Sequence, residues 1–147
     1  MLAFAQVKPG IEVLREGEFA CLKGKRVGLV TNPTGVDKNL KSTVDILFEA
    51  EGVNLVALYG PEHGVRGDIP AGEKVENQVD AKTGLKVHSL YGKTRKPTPE
   101  MLQGVDVLVY DIQDIGCRSY TFISTMGLVM NAAKEQNKEV VILDRPN

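Results

Sequence analysis

Five short runs of apolar, β-prone residues limit what this chain can fold into: Arg26–Asn32, Val53–Tyr59, Leu85–Leu90, Val105–Tyr110 and Glu139–Asp144. Most are nearly continuous in apolar character, as strands buried on both faces are, and they stop at turn signals or polar groups. Leu85–Leu90 alternates instead, which suits a short edge strand. Helical stretches separate the runs. Pro9-Gly10 opens one from Ile11 to about Cys21, with Ile11, Leu14 and Leu22 towards one face. Ser42 reads as the N-cap of a second, Thr43–Glu51, which Gly52 stops. Thr98 and Pro99 mark a short helix at Thr98–Leu102. Ser119–Gln136 is the longest, with Phe122, Ile123, Met126, Met130 and Ala133 towards the core. Alternation of this kind predicts an α/β fold, a mostly parallel sheet of about five strands with helices on its faces.

Bulk properties narrow the function classes. The 147 residues suit one domain with a real core, taken here as residues 9–147. Lys+Arg 18 against Asp+Glu 19 leaves no concentrated positive face, so neither nucleic acid nor an anionic membrane is an expected partner. No apolar run approaches the ~20 residues of a membrane-spanning helix. Cys21 and Cys117 are a distant pair without metal spacing. Ala3-Phe4-Ala5 has the small-x-small pattern that precedes a signal-peptidase cut, so residues 1–8 read either as the remnant of a signal peptide or, where that match is by chance, as a disordered N-terminus. A secreted, periplasmic or cell-envelope location is the corresponding expectation.

In an open parallel sheet, ligands bind outside the carboxyl ends of the strands. Thr31 and Asn32 follow the first run, Glu62 and His63 the second, Asp111, Gln113 and Asp114 the fourth, and Asp144 and Arg145 the last. The densest cluster is Gly60-Pro61-Glu62-His63-Gly64-Val65-Arg66-Gly67-Asp68, where glycines interrupt four ionisable side chains. It opens a polar passage to Gly84 that is long enough to be a lid or binding loop.

Several chemistries are excluded by what is missing. No G-x-G-x-x-G turn or Walker loop is present, which removes the standard dinucleotide and nucleotide sites. No G-x-S-x-G turn supports a serine nucleophile. The adjacent pair Glu62-His63 is poorly placed to give one ion both side chains, so no metal and no cofactor is expected. Carboxylate chemistry fits best. Glycoside hydrolysis needs one carboxyl group that keeps its proton and usually a second that is ionised. Glu62 is the candidate acid, and Asp111 and Asp114 are candidates for its partner, with turn or cap roles open for both. His63 either orients Glu62, binds a hydroxyl or serves the loop backbone. Arg66 and Arg118 are candidates for holding a substrate carboxylate. Asn32, Gln113, Tyr120 and Asp144 complete the expected substrate-binding set, while Tyr110 reads as core.

With these residues assembled, the chain resembles the NamZ-type exo-β-N-acetylmuramidases, formerly a domain of unknown function. The resemblance rests on Gly28-Leu29-Val30-Thr31-Asn32-Pro33-Thr34-Gly35, Gly60-Pro61-Glu62-His63-Gly64-Val65-Arg66-Gly67, Ser89-Leu90-Tyr91-Gly92, Asp111-Ile112-Gln113-Asp114-Ile115-Gly116-Cys117-Arg118-Ser119-Tyr120-Thr121 and Asp144-Arg145-Pro146-Asn147. It implies a bacterial enzyme of peptidoglycan turnover that releases N-acetylmuramic acid from the non-reducing ends of cell-wall saccharides. It also implies a Rossmann-like, three-layer domain whose Pro-Glu-His-Gly glutamate, here Glu62, is the leading catalytic candidate. Members of the family are much longer. The expectation is therefore an N-terminal domain without the smaller C-terminal domain, with little muramidase activity alone and a docking face that promotes self-association. A saccharide-binding or partner-docking module that has kept the fold is the competing expectation.

Overall fold

The computed structural model describes residues 7–67 and 78–146. Ala3-Phe4-Ala5, Asn147 and the middle of the long polar passage, including Asp68, lie outside the described residues. The elements run α1 (Gly10–Glu16), a 3-10 turn (Ala20–Leu22), β1 (Arg26–Thr31), α2 (Thr43–Glu49), β2 (Asn54–Gly60), β3 (Gln78–Val79), β4 (Lys86–Ser89), β5 (Val107–Asp111), α3 (Phe122–Glu135) and β6 (Glu139–Ile142). They form one six-stranded sheet in the order β3-β4-β2-β1-β5-β6. Every pairing is parallel except that of β3 with β4. The α/β, mostly parallel, Rossmann-like architecture expected from the sequence is the architecture observed.

Side-chain alternation along the strands divides the core into two layers. Val27, Leu29, Leu55, Leu58, Val107 and Val109 face one way, with Ile11 of α1 and Val44 and Leu47 of α2. Val30, Ala57, Tyr59, Leu108 and Tyr110 face the other, against Val129, Ala132 and Ala133 of α3. Because β1 and β5 are buried on both faces, nearly every residue in them is apolar. A register shift between Val27 and Gly28 brings Ala57, rather than Val56, opposite Gly28.

Local signals held where they were strongest. Ser42 caps α2, its side chain accepting from the Val44 N–H at 3.2 Å. Four expectations differ. Ile123 and Met130, expected towards the core, are exposed on α3, whereas Phe122, Met126 and Ala133 pack on the core. The first helix ends at Gly17, and residues near Cys21 form only the 3-10 turn, because Glu18 and Phe19 take left-handed φ of 50° and 53°. Thr98–Leu102 is a hydrogen-bonded turn, with Leu102 donating to the Thr98 carbonyl at 3.2 Å, too short to propagate as a helix. Leu85–Leu90 forms β4, which is not the outermost strand because β3 pairs along its outer side. Among the described residues no helix is long and apolar enough to cross a membrane.

Candidate functional site

Register places the leading carboxylate. Gly60, the last residue of β2, pairs with Ser89, the last of β4. The two strands therefore release Glu62 and Tyr91 side by side, each two residues beyond a paired position. The Tyr91 hydroxyl donates to Glu62 Oε1 at 2.8 Å. This bond to Glu62, then burial and the glutamate's charge, holds the phenol above its ordinary pKa, with the positive charge of Arg95 pulling the other way. The loop turns sharply after Glu62. His63 has φ 72° and Gly64 φ 75°, and the Gly64 N–H donates to the Pro61 carbonyl at 3.0 Å. Two successive left-handed residues are costly unless one is glycine, which is why Gly64 stands there.

Glu62 is half-buried on the wall of a cavity of about 310 Å³. Tyr91, Arg95 and Leu90 from the segment after β4, and Thr121, Ser124, Thr125 and Leu128 at the start of α3, line it together with Pro61. It combines one carboxylate, one guanidinium, one phenol and several hydroxyls, a set suited to a polyhydroxylated ligand carrying a charge.

A second polar cluster fills the point where the strand order reverses, between β1 and β5. Thr31 pairs with Asp111 in register, and its hydroxyl donates to the Asp111 carbonyl at 2.8 Å. Asp111 is fully buried. Its carboxylate is held by Arg145 Nη2 at 2.9 Å and by Arg145 Nε and the Thr43 hydroxyl. Arg145 Nη2 also donates to the Val36 carbonyl at 2.7 Å. Gly35 packs into the same cluster, where a Cβ would come within 2.1 Å of Thr31 Oγ1 and 2.9 Å of the Asp111 carbonyl oxygen. The crevice that binds nucleotides in related sheet topologies is thus occupied by protein groups here.

The remaining sequence candidates fall into three groups. Asn32 is buried, its Oδ1 accepting from the Thr34 N–H at 3.0 Å and from the Thr34 hydroxyl at 2.6 Å. Thr34 in turn accepts from the Gln113 N–H at 2.9 Å, and the Gln113 amide donates to the Pro146 carbonyl at 2.9 Å. Arg66, read as a partner for a substrate carboxylate, is instead turned towards protein carboxylates. It holds Asp80 through Nε at 2.8 Å and Nη2 at 3.0 Å, and Asp45 through Nη2 at 2.9 Å. Lys82 pairs with the other oxygen of Asp45 at 2.7 Å. Asp114 is half-buried and accepts from the Gly116 N–H at 2.7 Å, while Arg118, Tyr120 and Asp144 are exposed, and none of the four lines the cavity that holds Glu62. Tyr120 lies tilted against Phe122 with ring centroids 6.1 Å apart. Tyr110 is in the core, its hydroxyl donating to the Phe122 carbonyl at 2.8 Å.

Sequence reasoning gave no role to Tyr91 or Arg95. Tyr91 follows a strand at the carboxyl edge, so the rule that singled out Glu62 applies to it equally. Arg95 carries no comparable signal, since it lies in a polar segment beyond the strand end. Among the described residues, no three of His, Cys, Asp and Glu converge as a metal site requires.

Comparison with known proteins adds the family. The family described as "Exo-beta-N-acetylmuramidase NamZ, N-terminal" matches residues 27–147. The chain is 57% identical over 142 residues to the peptidoglycan beta-N-acetylmuramidase NamZ of Bacillus subtilis (strain 168), covering 97% of this chain and 34% of that protein. A crystal structure of a DUF1343 family protein from Bacteroides fragilis NCTC 9343 superposes with a TM-score of 0.88 at 71% identity, over 95% of this chain and 35% of that one. A second DUF1343 protein of the same organism gives 0.79 at 38% identity, over 97% and 36%. The chain thus spans about a third of the length of these relatives. On the match of residues 27–147, this chain belongs to the NamZ exo-β-N-acetylmuramidase family, in the part the family describes as N-terminal.

Proposed function

We propose that this chain supplies the acid–base carboxylate, Glu62, of an exo-β-N-acetylmuramidase that releases N-acetylmuramic acid from the non-reducing ends of peptidoglycan saccharides. The observation that carries this reading is the Glu62–Tyr91 pair on the wall of a polar cavity at the carboxyl edge of the sheet. Tyr91 occupies Oε1, and among the described residues no donor meets Oε2. A proton carried on Oε2 is then available to a ligand in the cavity that Glu62 lines, while Oε1 continues to accept from Tyr91. General acid transfer from such a group to a leaving glycosidic oxygen is worth ~10²–10⁴-fold in rate.

The two aspartates take different parts. Asp111 is enclosed by Arg145 and Thr43, so it holds the frame of the carboxyl edge together. Asp114, half-buried with one oxygen on the Gly116 N–H, is more accessible to a ligand than Asp111. A substrate whose own 2-acetamido group attacks the anomeric carbon needs one protein acid and a group to steady the amide. Glu62 and Asp114 match those two roles. The chain spans about a third of these relatives' length, and the isolated chain is expected to turn over little substrate.

Glu62→Gln in the full-length setting tests the reading. Release of N-acetylmuramic acid from a chromogenic muraminide falls at least ~10²-fold in kcat while saccharide binding persists. Unchanged turnover removes Glu62 from the mechanism and leaves a saccharide-binding role.

A further inference from the structure

N-acetylmuramic acid differs from N-acetylglucosamine by one group, a lactyl ether that carries a carboxylate, so a site selective for it needs a cation aimed at that carboxylate. The chain has six arginines. Four of them are already paired inside the protein: Arg15 with Asp37, Arg26 with Asp106, Arg66 with Asp80 and Asp45, and Arg145 with Asp111. Among the described residues no carboxylate pairs with Arg95 or Arg118. Only Arg95 of these two lines the cavity that holds Glu62.

We propose that Arg95 binds the lactyl carboxylate of the muramyl unit and sets the preference of the Glu62 cavity for muramic over glucosamine saccharides. The assignment rests on the muramidase reading above and goes beyond it by naming the residue that selects the substrate. Three features support it. Arg95 shares a wall with Tyr91 and Glu62, so a sugar presenting its glycosidic oxygen to Glu62 keeps its ring substituents within the same 310 Å³ cavity. The guanidinium is exposed and has no carboxylate to surrender before it takes a ligand, so pairing costs no buried ion. A planar fork also matches a carboxylate in two parallel hydrogen bonds, which a lysine of the same segment cannot do. The positive charge also lies near an acidic catalytic group, where an anionic substrate would otherwise be repelled.

The test titrates the full-length protein that carries this chain with three ligands, followed by protein-observed NMR: methyl N-acetyl-β-muraminide, its lactyl methyl ester and methyl N-acetyl-β-glucosaminide. The wild-type protein is expected to bind the acid about tenfold or more tightly than the ester or the glucosaminide. Arg95→Gln erases that advantage without weakening the two neutral ligands, whose unchanged binding also shows that the variant is folded. Arg95→Lys keeps part of the advantage, and Arg118→Gln keeps all of it. The assignment alone is overturned if the acid retains its advantage in Arg95→Gln, or loses it in Arg118→Gln. Absence of any muraminide binding by the wild-type full-length protein overturns the muramidase reading, and this assignment with it.

Discussion

The Asp111–Arg145 pair is the most consequential contact between single residues. Asp111 is fully buried, and the arginine, itself almost fully enclosed, comes from beyond β6 to reach it. A buried pair of this kind contributes little net stability compared with an apolar replacement of both partners, yet losing one partner leaves an uncompensated charge. Arg145→Met is therefore expected to lower unfolding free energy by about 3–5 kcal/mol. Urea denaturation checks it, and a loss below about 1 kcal/mol, the range of solvent-exposed pairs, would show that the carboxylate is better solvated than its burial indicates. The cost would register as instability rather than as a change in chemistry, which separates the role of Asp111 from that of Glu62.

Among the elements, the loop after β2 is held at both ends. Its first residues leave the sheet beside β4, and its sixth, Arg66, ties it to Asp80 just after β3 and to Asp45 on α2. The Arg66 hydrogen bond, opposed by burial and reinforced by Thr83, lowers the Asp80 carboxyl from 3.8 to about 2. For Asp45, burial pushes the carboxyl up, and bonds from Arg66 and Lys82 more than offset it, so its pKa is also lowered. A carboxylate depressed in the folded state stabilises the fold above its unfolded pKa and loses that contribution as pH falls through the folded value. Stability is accordingly expected to fall between about pH 4 and pH 2, and Arg66→Gln is expected to flatten that acid limb while lowering the plateau above it. Urea midpoints measured across this range decide the matter, since an acid limb unchanged in Arg66→Gln would assign it to other carboxylates.

For the molecule as a whole, the sheet has the two-residue β3 at one edge and β6 at the other. Ile142 on that strand is exposed, as are Ile123 and Met130 on α3. Edge strands with apolar side chains template further pairing unless charge or cover prevents it, and here Glu139 is engaged with Lys25 at 2.7 Å. Association of this chain that grows with concentration is the expected behaviour in light scattering, and Ile142→Lys is expected to reduce it. A wild-type chain that stays monomeric at high concentration would count against an adhesive edge.

The sequence by itself determined five of the six strands, the capped start of α2 and the parallel layout of those five, because periodicity, turn residues and caps act over a few positions. It also put Glu62 at the carboxyl edge of the sheet, since that rule needs only strand ends. Partner choice was different. Tyr91 meets Glu62 across 29 residues, Arg145 meets Asp111 across 34, and Thr43 meets Asp111 across 68. Local signals favoured Arg66, in the glycine-rich cluster after β2, yet it is bound to Asp80, whereas Arg95, which carried no signal, lines the cavity. Strand register and helix packing bring one beside buried carboxylates and the other beside open space, so only the tertiary structure separated the residues that hold the fold from those free to hold a ligand.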